Sequence, residues 1–359
     1  MTERQAYIAF NLTEKVGEAT LAKLVAQFGS AVAAWEAYPN KVARAGGAVD
    51  WAAEERLAAK FGVTILTAVD EGYPARLKAS PGAPLVLYVK GDVAALAKPA
   101  VAIVGTRRAT TYGQSLARRF GSELARAGWS VVSGLALGID AEAHRGALDG
   151  GVTVGVIGSG LDRFYPEENR ELAREIVKKG GAVVSEFPFG RPADTTTFPI
   201  RNHVVAALAT GVLAVECPLR SGTLITTSIA ADLGRTVMAV PGRVDSRMSA
   251  GCLSLIRDGA TLVRNTDDVL ESIGGALSLP TSAKERPSAP ARDPETPPYS
   301  VEEALLMTHV DEEGISLDAL ARLTKLPIAR VSSLAMELRL KGFVKFLPGN
   351  RISLLTPRR

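Results

Sequence analysis

Short apolar runs alternate with longer amphipathic segments through the middle of the chain. The amphipathic segments repeat apolar residues at helical spacing, and the apolar runs are rich in β-branched residues. The runs are residues 101–104, 130–133, 152–157, 182–185, 212–216 and 236–240. Strands that alternate with helices over this length indicate a parallel sheet, and continuous apolar composition fits strands buried on both faces. We predict an α/β fold with a doubly wound, mostly parallel sheet.

Three glycine-containing turns follow such runs, and each opens a segment with helical spacing. They occupy residues 105–108, 133–140 and 221–227. In an open parallel sheet, turns of this kind gather at the carboxyl ends of the strands, where ligands bind. Unpaired N–H groups at helix N-termini attract anions, and glycine lets a phosphate approach the backbone closely. The turns predict a phosphate-binding edge, which could serve either a nucleotide or a nucleic acid backbone.

Side chains suited to phosphates and bases accompany these turns. The planar fork of arginine pairs with phosphate through two hydrogen bonds, and Phe198 offers a face on which a base could stack. Two alternatives stay open: Arg107 could pair with a local carboxylate, and Phe198 could be buried beside a surface Arg201. The predicted contact residues are Gly105, Thr106, Arg107, Arg108, Gly134, Phe198, Arg201, Asn202, Arg220, Ser221, Gly222 and Thr223.

Several common kinds of site lack their sequence signals. Cys217 and Cys252 have no metal-ligand spacing, and we expect two buried, inert thiols. His144, His203 and His309 are far apart, so a catalytic zinc site is not expected. Residues 158–160 read Gly-Ser-Gly but lack the third glycine of a dinucleotide fingerprint, and no Walker A sequence occurs. We therefore expect neither a metal nor a cofactor.

Charge and hydropathy fit a cytoplasmic protein with an anionic partner. The net charge is +4, and arginine greatly outnumbers lysine between residues 100 and 265. That preference suits phosphate binding, although a GC-rich genome would explain it equally well. No apolar run approaches the roughly 18 residues of a membrane span, and the N-terminus lacks the pattern of a signal peptide. We expect no membrane span.

Composition divides the chain into four parts. Residues 1–65 read as a small helical unit, which could be a DNA-binding hairpin or a docking module. Residues 66–280 hold the predicted sheet. Residues 281–299 are rich in proline and read as a linker. Residues 300–359 form a further small domain.

The last domain has a winged-helix pattern of two helices followed by a hairpin. Ser316 is suited to cap the first helix, and Pro327 to start the second, on which Ile328 and later apolar residues form a buried face. Residues 343–347 and 351–355 read as the hairpin. Since the outward face of the second helix carries Glu337 as well as Arg330 and Arg339, duplex DNA and a protein are both open as its partner.

Five ordered motifs resemble the family of DprA, also called Smf, the DNA-processing protein of bacterial natural transformation. They are the Gly-Thr-Arg turn at 105–107, Ser-Gly-x-Ala-x-Gly-Ile-Asp at 133–140, Gly-x-Asp-x-x-Tyr-Pro at 160–166, Phe-Pro-x-Arg-Asn at 198–202 and Ser-Gly-Thr-Leu-Ile-Thr at 221–226. Residues 241–242 and 255–260 also look like later segments of the family. The match spans about residues 73–263.

The resemblance implies a protein that binds and protects single-stranded DNA through an extended Rossmann domain. It further implies loading of the RecA recombinase onto that DNA, a homodimer, an N-terminal helical domain of the SAM-like kind and a C-terminal winged helix. The arginine of the first motif, here Arg107, would face the DNA. Family members commonly carry arginine where this chain has His203, so a contact there would be weaker or pH-dependent.

By the same resemblance, the dimer surface is expected near Leu253, Leu255 and Ile256, although these apolar residues could equally belong to the core. The implied protein is not an enzyme.

A phosphoribohydrolase-like enzyme acting on a nucleotide is the alternative from another class. It would need a carboxylate beside the sugar, and Asp140, Glu186 and Glu216 are the candidates. Such enzymes resemble Pro-Gly-Gly-x-Gly-Thr at the late glycine turn, which reads Arg-Ser-Gly-Thr here at 220–223. A third hypothesis is a regulator that acts through its winged helix.

Overall fold

The computed structural model describes residues 1–38, 48–274, 301–311, 314–341, 343–347 and 351–354. The chain divides into two compact units, Met1–Leu279 and Pro280–Arg359. The predicted linker at 281–299 lies outside the described residues, as do the turn at 348–350 and residue 355 of the predicted hairpin. No helix among the described residues combines the length and apolar composition that crossing a membrane requires.

Twelve α-helices are described in the first unit. They are α1 (Glu3–Leu12), α2 (Glu18–Phe28), α3 (Ala31–Ala37), α4 (Trp51–Phe61), α5 (Ala75–Lys78), α6 (Thr111–Arg126), α7 (Ile139–Leu148), α8 (Arg170–Lys178), α9 (Thr197–Leu208), α10 (Gly222–Asp232), α11 (Ala250–Arg257) and α12 (Thr266–Gly274). Local capping explains several ends. Thr2 and Gln5 form a reciprocal capping box before α1, and Gly29 and Gly62 end α2 and α4 in the left-handed conformation.

One sheet contains the nine strands described in the first unit. They are β1 (Thr64–Thr67), β2 (Val86–Gly91), β3 (Ala100–Val104), β4 (Ser130–Ser133), β5 (Thr153–Val156), β6 (Ala182–Ser185), β7 (Gly211–Ala214), β8 (Thr236–Ala239) and β9 (Thr261–Leu262). Their order is β1-β2-β6-β5-β4-β3-β7-β8-β9. Strands β3 to β9 run parallel, while β2 is antiparallel to β1 and β6. The doubly wound, mostly parallel sheet is confirmed, and the six predicted strands are β3 to β8.

Both faces of the sheet are buried, as the composition of the strands predicts. Val101 and Ile103 pack on one side with apolar residues of α6 and α7. Ala102 and Val104 point to the other side and pack with α9 and α10. Successive residues of β3 therefore enter different cores, which requires a continuous apolar run rather than an alternating one.

The N-terminal helices cover the antiparallel end of the sheet. Phe10 and Trp35 meet edge to face with ring centroids 5.2 Å apart, in a core that also holds Ile65, Val86 and Tyr88. Strand β1 crosses the boundary predicted after residue 65. The helical unit thus shares its core with the first strands of the sheet.

The second unit has the winged-helix arrangement. Its elements are α13 (Val301–Met307), β10 (Ile315–Ser316), α14 (Leu317–Thr324), α15 (Ile328–Leu340), β11 (Val344–Leu347) and β12 (Arg351–Leu354). Ser316 Oγ accepts a hydrogen bond from Ala319 N at the start of α14, as predicted. Ile328 is 45% exposed, so its predicted place on the buried face is wrong; α15 begins there, and the later residues Val331 and Leu334 reach the core.

Candidate nucleic-acid interface

The carboxyl ends of β3 and β7 border an open groove. The strand order reverses between these neighbours, so their turns separate and leave a crevice. The groove has a volume of about 470 Å³. Every residue that the sequence predicts as a phosphate or base contact lines it: Gly105, Thr106, Arg107, Arg108, Gly134, Phe198, Arg201, Asn202, Arg220, Ser221, Gly222 and Thr223. The fold brings the three glycine turns and the start of α9 together.

At one end of the groove an arginine and two aromatic rings lie in a row, which we call the aromatic stack; Arg107 and Phe198 line the groove, and Tyr165 lines the small recess beside it. The guanidinium carbon of Arg107 lies 4.9 Å from the ring centroid of Phe198. The ring of Tyr165 lies 6.0 Å from that of Phe198 at an interplanar angle of 38°. Arg107 is exposed, and no acidic side chain in the described part of the chain pairs with it, in contrast to the alternative of a local carboxylate. Tyr165 is 48% exposed. Such a surface offers both stacking and positive charge.

Arg201 is buried beneath the groove, and Phe198 is half-exposed, so the alternative of a buried Phe198 beside a surface Arg201 is wrong. Nη1 of Arg201 donates hydrogen bonds to the carbonyl oxygens of Gly134 and Val156. Asp140 Oδ2 accepts the Gly134 N–H at 3.1 Å. Burial raises the pKa of Asp140 and lowers the pKa of Arg201, while the attraction between their charges opposes both shifts. The pair fixes the turn after β4.

The glycines of the turns serve different purposes. A Cβ at Gly105 would lie 2.5–2.8 Å from side-chain atoms of Ile139, and a Cβ at Gly134 would collide with the Arg201 guanidinium. Both residues therefore leave room for neighbouring protein atoms, which corrects the expectation that Gly105 makes space for a phosphate. A Cβ at Gly222 would have no atom within 4 Å. This position remains open to a ligand.

The N-terminus of α6 is already occupied by a protein carboxylate. Glu216 accepts hydrogen bonds from the N–H and the hydroxyl of Thr110 at 2.9 and 2.6 Å. Thr106 is also buried, and its hydroxyl accepts the Arg108 N–H at 3.2 Å. The turn after β3 is thus closed from below. The exposed charged side chains on this turn are those of Arg107 and Arg108.

The turn before α10 is more open. Ser221 Oγ accepts the Thr223 N–H at 3.2 Å and caps the helix. Thr223 is buried, Asn202 is half-exposed, and Arg220 is exposed. Arg108 and Arg220 form no ion pair within the described ranges of the chain. These two charges face solvent at the groove.

The carboxylates that a nucleotide-processing enzyme would use are engaged or distant. Asp140 lines the groove but is buried in the cluster with Arg201. Glu216 is 3% exposed and caps α6. Glu186 lies near Tyr73, whose pKa it helps to raise, and is not among the groove residues. The described residues also bring together no three His, Cys, Asp or Glu side chains that could hold a metal ion.

Other predicted residues lie outside the groove. His203 Nε2 contacts the carbonyl oxygen of Pro81 at 2.8 Å, and burial lowers its pKa. Leu253, Leu255 and Ile256 lie on α11 and are half-buried; the last two also pack against a small core around the two cysteines. Cys217 and Cys252 are free and buried, as predicted. The sequence analysis names Tyr165 only as part of the Gly-x-Asp-x-x-Tyr-Pro motif. Its place in the loop that follows β5 is a signal that it lies near the other strand-end turns.

The comparisons with known proteins identify the family. The family model described as DNA recombination-mediator protein A matches residues 64–274. The chain belongs to this family. Two further models match its flanks: the DprA-like N-terminal HHH domain at residues 3–60 and the DprA winged helix domain at residues 287–350.

Relatives and solved structures cover much of the chain. Protein Smf of Escherichia coli is 36% identical over 292 residues, which are 81% of this chain and 77% of that protein. DprA of Streptococcus pneumoniae has a solved structure that covers 76% of this chain and 98% of its own, with a TM-score of 0.63 and 32% identity. A structure of DprA from Helicobacter pylori, described for its single-stranded DNA binding mode, covers 59% of this chain and 96% of its own, with a TM-score of 0.53 and 29% identity.

Proposed function

We propose that this protein binds single-stranded DNA in the groove at the carboxyl ends of β3 and β7. The observation that carries the proposal is the aromatic stack of Arg107, Phe198 and Tyr165, which joins a cation that has no acidic partner among the described residues to one half-exposed and one exposed ring. Unpaired bases can stack on such rings, whereas the bases of a duplex are already stacked on each other. The H. pylori relative supports the same ligand class.

The proposed roles of the individual residues follow from how exposed each side chain is. Arg107, Arg108 and Arg220 are exposed and bind phosphates, and the open backbone at Gly222 accepts a phosphate at the start of α10. Arg201 is buried, so it supports the groove from below instead of contacting the strand. Because each neutralised phosphate releases counterions, affinity should fall steeply with salt.

Fluorescence anisotropy of labelled oligo-dT and of a duplex of equal length, measured across a salt series, tests the proposal. The wild-type protein should prefer the single strand. Arg107→Ala should weaken single-strand binding by on the order of 1–3 kcal/mol, because it removes a charge-assisted contact and part of the stack. Equal affinity for both oligonucleotides, or an Arg107→Ala protein with unchanged affinity, would contradict the assignment.

The bound strand would then pass to a RecA-type recombinase, as the family of recombination mediators suggests. A test is RecA filament formation on single-stranded DNA covered by a competing binding protein. Addition of the wild-type chain should accelerate it, and addition of the Arg107→Ala chain should not. Equal acceleration by both chains would mean that recombinase loading does not depend on DNA binding in the groove.

A homodimer through α11 completes the proposal. Leu253 is half-exposed and does not join the core that Leu255 and Ile256 contact. A charge at this position should therefore disturb a dimer without unfolding the chain. Light scattering of the wild type and Leu253→Glu should give a dimer and a monomer, respectively; two identical masses would place the interface elsewhere.

A further inference from the structure

A second basic recess continues the groove at its Arg220 end. It has a volume of about 580 Å³. Thr106, Arg108, Pro218 and Arg220 line both the recess and the groove, so the two form one continuous depression. The aromatic stack lies at the opposite end, where Tyr165 and Phe198 line a further small recess. The whole depression therefore changes from aromatic to purely cationic and aliphatic along its length.

The added wall of this recess comes from the segment that leads into α11. Arg247 and Met248 belong to it, and Leu219 contributes from the turn after β7. Met248 is half-buried and Leu219 is 61% exposed. No aromatic side chain among the described residues lines the recess. Its apolar atoms can contact a sugar or the edge of a base, but they offer no ring for stacking.

Three arginines in the recess have no acidic partner in the described part of the chain. Arg108, Arg220 and Arg247 are exposed, and none forms an ion pair within the described residues. Arg243, on the same segment as Arg247, instead pairs with Asp245 at 2.7 Å. Uncompensated like charges around one depression repel each other and attract a polyanion. Since the recess is continuous with the groove, the anion best placed to reach it is the next phosphate of a strand already held there.

We infer that Arg247, with Arg108 and Arg220, forms a second phosphate subsite for the same DNA strand, beyond the aromatic stack. This inference rests on the proposed function. A strand long enough to cross the whole depression contacts Arg247, whereas a short strand held at the stack does not. Because the recess lacks a stacking ring, it binds the backbone with little preference for base identity.

The test compares Arg247→Ala with Arg243→Ala on labelled oligo-dT of about 4 and about 16 nucleotides, a range that spans known single-strand site sizes. Arg243→Ala is the matched control, since it removes a neighbouring exposed arginine that has its own carboxylate. One lost phosphate contact lowers the slope of log affinity against log salt by about 0.7, which corresponds to about five-fold weaker binding at 0.1 M salt. We expect that loss for Arg247→Ala on the long oligonucleotide alone, and no loss for Arg243→Ala.

The possible outcomes separate the subsite from the function. If Arg247→Ala binds both lengths as the wild type does, while Arg107→Ala is impaired, the subsite is overturned and the function stands. An equal loss of affinity in Arg247→Ala and Arg243→Ala would indicate only a general electrostatic attraction to the basic surface, and it would also overturn the subsite. If the wild type binds neither length, the proposed function itself fails. A retained salt slope in Arg247→Lys would support a phosphate contact.

Discussion

Removal of the buried guanidinium in Arg201→Met should destabilise the first unit strongly. Asp140 would keep its hydrogen bond from Gly134 N–H but would lose the neighbouring positive charge of Arg201. The carbonyl oxygens of Gly134 and Val156 would also lose their donor. Loss of the cation beside a buried carboxylate leaves an uncompensated charge, and the cost of breaking a contacting buried ion pair from one side, about 3–5 kcal/mol, is its upper bound.

Urea unfolding followed by tryptophan fluorescence measures this loss. The three tryptophans, at positions 35, 51 and 129, all lie in the first unit, so the signal reports on that unit alone. The double variant Arg201→Met/Asp140→Leu should regain most of the lost free energy of unfolding, because it removes the stranded charge. Arg174→Met is the control: its pair with Glu171 is exposed, and such pairs contribute about 0–1 kcal/mol.

Two results would refute this reasoning about the buried pair. One is an Arg201→Met protein that is no less stable than Arg174→Met. The other is a double variant as unstable as the single one, which would mean that Arg201 acts only through its carbonyl contacts and not through Asp140.

Three further predictions concern His144, the glycines of the turns and the two cysteines. Burial lowers the pKa of His144 to about 3, whereas an unfolded imidazole has a pKa of about 6.5. As the pH falls through about 6.5, the unfolded chain therefore binds a proton that the folded chain does not. The free energy of unfolding should fall by about 2 kcal/mol between neutral pH and about pH 5, and it should fall less steeply in His144→Gln. Urea titrations at several pH values measure both slopes. Gly105→Ala should lower the free energy of unfolding by about 1–3 kcal/mol, because the added methyl group overpacks the contact with Ile139. Gly222→Ala should leave stability unchanged and weaken single-strand binding. Thermal melting and anisotropy of both variants test this, and the reverse pattern would show that the two glycine roles are misassigned. Cys217 and Cys252 should react with a thiol reagent only after denaturant is added, since both are fully buried; rapid labelling of the native protein would contradict this.

The parallel sheet could be predicted because its signals are local. An apolar run such as 101–104 serves two cores, and the glycine turn that follows marks where the strand ends. The turns then had to meet at one edge of the sheet. For this reason the sequence was sufficient to collect the groove residues, although it left their ligand open.

Burial of individual polar side chains could not be predicted in the same way. Whether Arg201 lies at the surface depends on Asp140 and on carbonyl groups that come from distant parts of the chain. The role of Gly105 likewise depends on Ile139, which the fold brings against it. Arg247 carried no motif signal, because its position beside Arg220 arises only when α11 packs near the turn after β7.

Mapping of cross-links is the most direct test of the central claim that single-stranded DNA lies on the aromatic stack at one end of the groove. Oligo-dT carrying 5-iodouracil would be irradiated in complex with the protein, and the attached peptides would be identified by mass spectrometry. The account predicts cross-links to Tyr165 and Phe198, both lost in the presence of excess unlabelled single strand. Cross-links confined to the second unit, residues 280–359, would contradict it.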